Sequence, residues 1–148
     1  MEIKKQNVIV TGAASGLGLE LTRQFLNEGA NVAAVDINAD NLKKLEEEMD
    51  TSKLKTYVVD MGSVESIKKF REDYKKDYSD VDIIVNNAGI IQPFVKVQDL
   101  DDNTINKVMN INFFGPLHLI RLFMDDLTRV PPNTKAIKYI GKNESKIN

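Results

Sequence analysis

Three glycines stand close together near the start of the chain, in Thr11-Gly12-Ala13-Ala14-Ser15-Gly16-Leu17-Gly18. A short apolar run, Val8–Val10, leads into them, and a segment with apolar residues at Leu17, Leu21 and Phe25 comes next. A strand, a glycine turn and a helix in that order can cradle a phosphate. Without Cβ atoms the backbone turns tightly and comes close to a pyrophosphate, which then meets the N–H groups and positive end of the helix. Gly12, Ser15, Gly16, Leu17 and Gly18 are the candidate contacts. A merely flexible turn would also use glycines, so they do not decide the matter alone. A P-loop is excluded, because no Gly-Lys-Ser/Thr comes after them. Asp36 comes 18 residues after Gly18, at the end of the next apolar run. An acid about 20 residues beyond the glycines is the group that holds ribose hydroxyls in a dinucleotide site. Its charge repels a 2′-phosphate, so NAD is preferred over NADP. Ile37 is next in the chain, and no Arg or Lys adjoins Asp36 to reverse that. The alternative is a surface Asp capping the next helix.

A further candidate is Asn112. Pro116 lies four residues later, inside a long helical pattern. A helical Pro has no N–H for the carbonyl four residues back, and its ring pushes on that carbonyl. The sequence therefore predicts a kink, with the Asn112 carbonyl freed to hold a water. A packing kink without a chemical role would look the same.

These groups need a frame. Four continuous apolar runs, Val8–Val10, Val32–Val35, Tyr57–Val59 and Ile83–Val85, read as strands covered on both faces. Helical periodicity separates them: Leu17, Leu21 and Phe25; Leu42, Leu45 and Met49; then Val64, Ile67, Phe70, Tyr74 and Tyr78. Gly29 is placed to end the first helix and Ser63 to cap the third. The order β-α-β-α-β-α-β with right-handed crossovers predicts a doubly wound, Rossmann-like parallel sheet of the α/β class. Lys135–Ile140 is a weak candidate for a fifth strand, giving the order 3-2-1-4-5. A long helix over Thr104–Leu127 is apolar nearly all round. One face can cover the sheet, and the other must meet more chain or a partner subunit.

Composition narrows the functions. The 148 residues carry 20 basic and 22 acidic side chains, a net charge of −2, which gives no nucleic-acid footprint. The absence of Cys excludes a disulfide framework, a thiolate zinc site and a Cys nucleophile. A single His, His118, rules out a His-rich metal site, and it reads as an ordinary helix residue. The N-terminal apolar stretch is too short for a signal peptide, and Ile111–Met124 is too short to span a bilayer. The expectation is a cytoplasmic protein without membrane or nucleic-acid partners.

Taken together, TGAASGLG (Thr11–Gly18), Val-Asp-Met at Val59–Met61 and Asn86-Asn87-Ala88-Gly89 resemble the short-chain dehydrogenase/reductase family. The resemblance runs from Asn7 to about Leu127. It implies that Asp60 binds the adenine edge and Met61 its flank. It implies that Asn86 and its neighbours Asn87, Ala88 and Gly89 support the sheet and line the cofactor cleft. Asn112, in Asn110-Ile111-Asn112-Phe113-Phe114-Gly115, matches the family's helix asparagine, whose backbone holds a water in a proton relay. The implied activity is NAD(P)-dependent hydride transfer between nicotinamide and a small alcohol or carbonyl substrate. Family members commonly pair through the helix at Thr104–Leu127 and its successor, which implies a homo-oligomer.

The family then carries a Ser and a Tyr-x-x-x-Lys motif for acid–base chemistry. Here the residue at i+4 from Tyr139 is Asn143, Lys142 is at i+3, and Ser145 comes after the Tyr. These read as coincidence. Residues 133–148 hold four Lys and one Glu, so the first 132 sum to −5 and the last sixteen to +3. The expected division is a dinucleotide-binding domain over residues 1–132 and a divergent tail over 133–148. The tail reads either as an out-of-frame end of a C-terminally truncated member or as a real divergent terminus. At roughly 30 residues per βαβ step, the chain holds about five strands of a fold that wants six. Two functions stay open: an NAD-dependent oxidoreductase, or an inactive NAD-binding or interaction fragment.

Overall fold

The computed structural model describes residues 3–129. Four strands are built from the apolar runs: β1 (Asn7–Thr11), β2 (Asn31–Asp36), β3 (Leu54–Val58) and β4 (Ile83–Val85). They form one parallel sheet in the order β3-β2-β1-β4. The connecting helices are α1 (Gly16–Asn27), α2 (Ala39–Met49) and α3 (Val64–Asp77). Alternate strand residues face opposite sides. Val8, Val10, Val32 and Ala34 belong to the core under α1 and α2, and Ile9, Ala33 and Val35 to the core under α3 and the later helices. Both faces are covered, which is why the strand sequences are continuously apolar. This is the expected Rossmann-like, doubly wound α/β sheet. The fifth strand expected at Lys135–Ile140 and the domain boundary after residue 132 lie outside the described residues.

Three local expectations change. The third strand begins at Leu54, not Tyr57, and Val59 has already left it. An edge strand needs apolar residues on fewer positions, so Lys55 and Thr56 hide its start. The buried stripe of α1 is Gly18, Thr22 and Leu26, one residue along from the Leu17–Leu21–Phe25 stripe. Leu17 is 69% exposed. The shift arises because Gly18 must lie against the turn, which swings Leu17 outward. The helix expected over Thr104–Leu127 is divided into α4 (Asp102–Met109), a π-helical turn (Asn110–Phe114), α5 (Gly115–Leu122) and α6 (Met124–Leu127).

The π-helical turn within it is the work of Pro116. The Gly115 N–H bonds the Asn110 carbonyl five residues back, and Pro116 enters α5 where a missing N–H costs little. The extra residue rotates α5 relative to α4, so Gly115, Leu119 and Phe123 turn into the core. Phe123 is fully buried among Phe70 and Tyr74, with ring centroids at 6.0 and 5.1 Å. On the opposite side Ile105, Met109, Phe113, Phe114, Leu117 and Met124 are exposed. The two-sided apolar character seen in the sequence is therefore one face buried and one face bare. Caps appear where expected: the Ser63 hydroxyl accepts the Ser66 N–H at 3.2 Å, and Gly29, at φ +86°, lies just past the end of α1.

Packing of this kind makes a sharp contrast between neighbours. Phe123→Ala should cost about 3–5 kcal/mol through the lost transfer energy and the cavity left behind. Phe113→Ala, at a position 54% exposed, should stay within about 0.5 kcal/mol. Urea unfolding of the two variants measures both; equal midpoints would mean that α6 and the end of α5 do not anchor on α3.

Candidate functional site

The sheet delivers β1 to its C-terminal edge at Thr11, and the chain reverses within four residues into α1. Gly12 and Gly16 stand at φ +65° and +51°, in the left-handed region that side chains with a Cβ disfavour. A Cβ on Gly18 would overlap the Gly12 carbonyl oxygen and come within 2.5 Å of the Asn87 amide nitrogen. The turn is thus folded back onto the first turn of α1.

Ser15 precedes α1 in extended conformation, and its hydroxyl makes no bond to the helix. No acid lies in that first turn. The other helices that start from loops differ. Asn38 caps the Asn41 N–H at 2.9 Å, Ser63 caps Ser66, and Asp101 caps Thr104 at 2.9 Å. Each of those helices also has an acid in its first turn: Asp40, Glu65 and Asp102. Helix geometry leaves the first N–H groups of α1, at Gly16, Leu17 and Gly18, without intrahelical acceptors. No acid of the first turn meets the positive end of its dipole.

Asp36 ends β2 directly beside this turn. Its Oδ2 accepts the Ala14 N–H at 3.0 Å and its Oδ1 the Asn38 N–H at 3.0 Å. Each oxygen keeps a lone pair for a further donor. Asp36 therefore does two jobs at once. It enters the turn leading to α2, close to the capping alternative, while Asn38 is the cap itself. It also ties the glycine turn to β2.

The segment after β4 braces the turn from behind. Thr11 Oγ1 accepts the Asn87 and Ala88 N–H groups at 3.1 and 3.0 Å and donates to the Val85 carbonyl at 3.3 Å. The Asn87 side chain donates to the carbonyls of Thr11 and Gly12 at 3.0 and 3.2 Å. Asn86 is exposed. Asn112, in the π-helical turn, clamps the next stretch. Its Oδ1 accepts the Ile90 N–H at 2.9 Å, and its Nδ2 donates to the Ile90 carbonyl at 2.7 Å. The sequence points to the Asn112 backbone and does not reveal this side-chain clamp. Its partner is a backbone, so no residue type in the sequence marks it.

Between these pieces lies a cleft of about 200 Å³. Seven of the candidates line it: Gly12, Ser15, Asp36, Asp60, Met61, Ala88 and Gly89. Gly16, Leu17, Gly18, Asn87 and Asn112 do not line it and shape it from outside. Ile37, Ile90 and Ile111 line it too, and as isolated apolar residues they escape sequence reasoning. Asp60 is set by two bonds: its Oδ1 accepts the Gly62 N–H at 2.8 Å, and its own N–H donates to Ser66 Oγ at 3.0 Å. Gly115 fits under Met61, where a Cβ would overlap the Met61 carbonyl. Lys44 shares a groove with Ser15 and Asn41, which brings a cation near the turn from α2, a proximity hidden in the linear sequence.

The tyrosines among the described residues serve packing. Burial pushes the phenols of Tyr57, Tyr74 and Tyr78 well above their usual range. They donate to Asp77 and to the Asp80 and Val32 carbonyls, respectively. Among the described residues no group of three His, Cys, Asp or Glu could hold a metal. No helix among them is long and apolar enough to cross a membrane.

Comparison with known proteins places this arrangement. A 3beta-hydroxysteroid dehydrogenase 2 from Eggerthella lenta is 30% identical over 126 residues, covering 81% of this chain and 48% of its own length. A 3-ketoacyl-(acyl-carrier-protein) reductase from Brucella melitensis, complexed with NADH, shares the fold with a TM-score of 0.79 at 22% identity, over 84% of this chain and 51% of that one. A metagenomic short-chain oxidoreductase in complex with NADP does so with a TM-score of 0.79 at 22% identity, over 85% and 58%. This chain spans about half the length of these relatives. The short chain dehydrogenase family model matches residues 6–134, from the strand before the glycine turn to beyond the helix that carries Asn112. The chain belongs to the short chain dehydrogenase family.

Proposed function

We propose that this chain binds NAD in preference to NADP, as the dinucleotide-binding part of an oxidoreductase that moves hydride between nicotinamide and an alcohol or carbonyl carbon. The observation that carries the reading is the uncapped start of α1 inside a glycine turn, with Asp36 beside it. The N–H groups of Gly16, Leu17 and Gly18 suit a pyrophosphate, and the space beside Gly16, where a Cβ would meet nothing within 4 Å, is open to it. The Asp36 carboxylate accepts ribose hydroxyls and opposes a 2′-phosphate. Asp60 accepts the adenine amino group, while Met61, Ala88, Gly89 and Ile111 form apolar and backbone walls. When bound, nicotinamide supplies the hydride chemistry. Asn112 keeps the Ile90 segment in place and offers a carbonyl that Pro116 cannot engage. The unit proposed to do this is residues 1–132. Pairing of two copies through the exposed face of α4 and α5 belongs to the same reading.

A second reading, dinucleotide binding without turnover, rests on the tyrosines. None of the four has a Lys at i+4, the spacing at which an ammonium group lowers the pKa of a phenol. Tyr57, Tyr74 and Tyr78 are instead shifted in the opposite direction by burial.

Titration of the purified chain with NADH, monitored by nicotinamide fluorescence, tests binding. Gly18→Ala should weaken it at least about tenfold, roughly 1.4 kcal/mol. Asp36→Ala removes charge-assisted bonds of about 1.5–3 kcal/mol, so NADH weakens while NADPH gains. Thermal melts confirm that each variant folds. Unchanged NADH affinity in both folded variants would sink the cofactor assignment. An assay over a panel of secondary alcohols separates the two readings: turnover abolished by Tyr139→Phe supports an active enzyme, and binding without turnover supports the second.

A further inference from the structure

We propose that the groove between α3 and α5 binds a small molecule carrying a phosphate group, at a site separate from the glycine-turn cleft. The groove holds about 310 Å³ and is lined by Val64 and Lys68 of α3 and by His118, Arg121 and Leu122 of α5. Three of its five lining residues present nitrogen donors, and none is an acid. Arg71, one turn along α3 from Lys68, does not line the groove but ties α3 to α5 beside it. Its Nε donates to the Leu122 carbonyl at 3.1 Å, and its guanidinium lies 4.7 Å from the Phe123 ring centroid.

The other lysines of α3 are held in ion pairs. Lys69 and Lys76 both reach Asp73, and Lys75 reaches Asp126. Lys68, His118 and Arg121 form no ion pair within 4.0 Å among the described residues. On a chain of net charge −2, three donors without an ion pair among the described residues, gathered in one concavity, are unexpected, even with Glu65 and Glu72 on the same helix as Lys68 and Asp125 four residues beyond Arg121. Clefts lined by one sign of charge focus the field and concentrate ions of the other sign. The planar fork of Arg matches two phosphate oxygens, and Lys adds a point charge. The two permanent charges of Lys68 and Arg121 balance a phosphate monoester dianion. Val64 and Leu122 supply an apolar floor, which fits an organic group on the phosphate better than a bare ion. The groove shares no lining residue with the cleft that holds Asp36 and Asp60, so this assignment does not depend on the cofactor reading.

The test is a titration of the ¹⁵N-labelled full chain with phenyl phosphate and, separately, inorganic phosphate, at low salt. Amide shifts should saturate at Val64, Lys68, His118 and Arg121, with phenyl phosphate the tighter of the two. The Lys68→Ala/Arg121→Ala double variant should weaken that binding about tenfold or more. Both side chains are exposed, so the variant should keep its fold, which a thermal melt checks. Shifts at Gly16–Gly18 report phosphate at the glycine turn and are read apart. No saturable shift in the groove, or groove shifts indifferent to the double substitution, would overturn the proposal.

Discussion

The contact between Gly18 and the Gly12 carbonyl constrains everything around it. No side chain fits there, so the turn collapses onto the start of α1. That collapse points the first N–H groups of the helix out of the C-terminal edge of the sheet, where no side chain among the described residues caps them. It also fixes the rotation of α1, which is why Gly18, Thr22 and Leu26 face the core and Leu17 faces solvent. A turn this tight needs support on both sides. The Asp36 carboxylate holds it from β2, and Thr11 with Asn87 holds it from β4. Buried or half-buried hydrogen bonds of this kind each contribute about 1 kcal/mol net, but losing one partner costs more, because the other is left unsatisfied.

A second constraint runs through the helical stretch beyond β4. Pro116 removes a donor, and the chain answers with a π-helical turn. The extra residue sets the phase of the two halves. Within the turn, Asn112 reaches Ile90 with both amide atoms; after it, Gly115, Leu119 and Phe123 meet Met61 and the aromatic residues of α3. The same turn therefore anchors the helix on the sheet and holds one wall of the cleft. π-helical turns are uncommon and tend to occur at functional sites, where such re-phasing is useful.

Much of this is legible in the residues. The four strands, the parallel order and the two-faced core can be read from continuous apolar runs separated by amphipathic helices. Seven of the twelve site candidates line the cleft. The remainder could not be read for identifiable reasons. Ile37, Ile90 and Ile111 carry no polar group to mark them. Lys44 approaches Ser15 only because α2 packs beside α1. The start of β3 is masked by Lys55 and Thr56, which an edge strand tolerates.

By itself the sequence determined the fold class, the glycine turn and the break at Pro116, because each rests on local backbone chemistry: Cβ-free residues, a missing N–H, and apolar spacing at the period of strand or helix. Tertiary structure alone decided which N–H groups stay uncapped, that Asp36 both braces the turn and faces the cleft, and that the Asn112 side chain serves the backbone of Ile90. Those facts depend on segments far apart in sequence, brought together by the parallel sheet. No local pattern specifies the atoms that will meet.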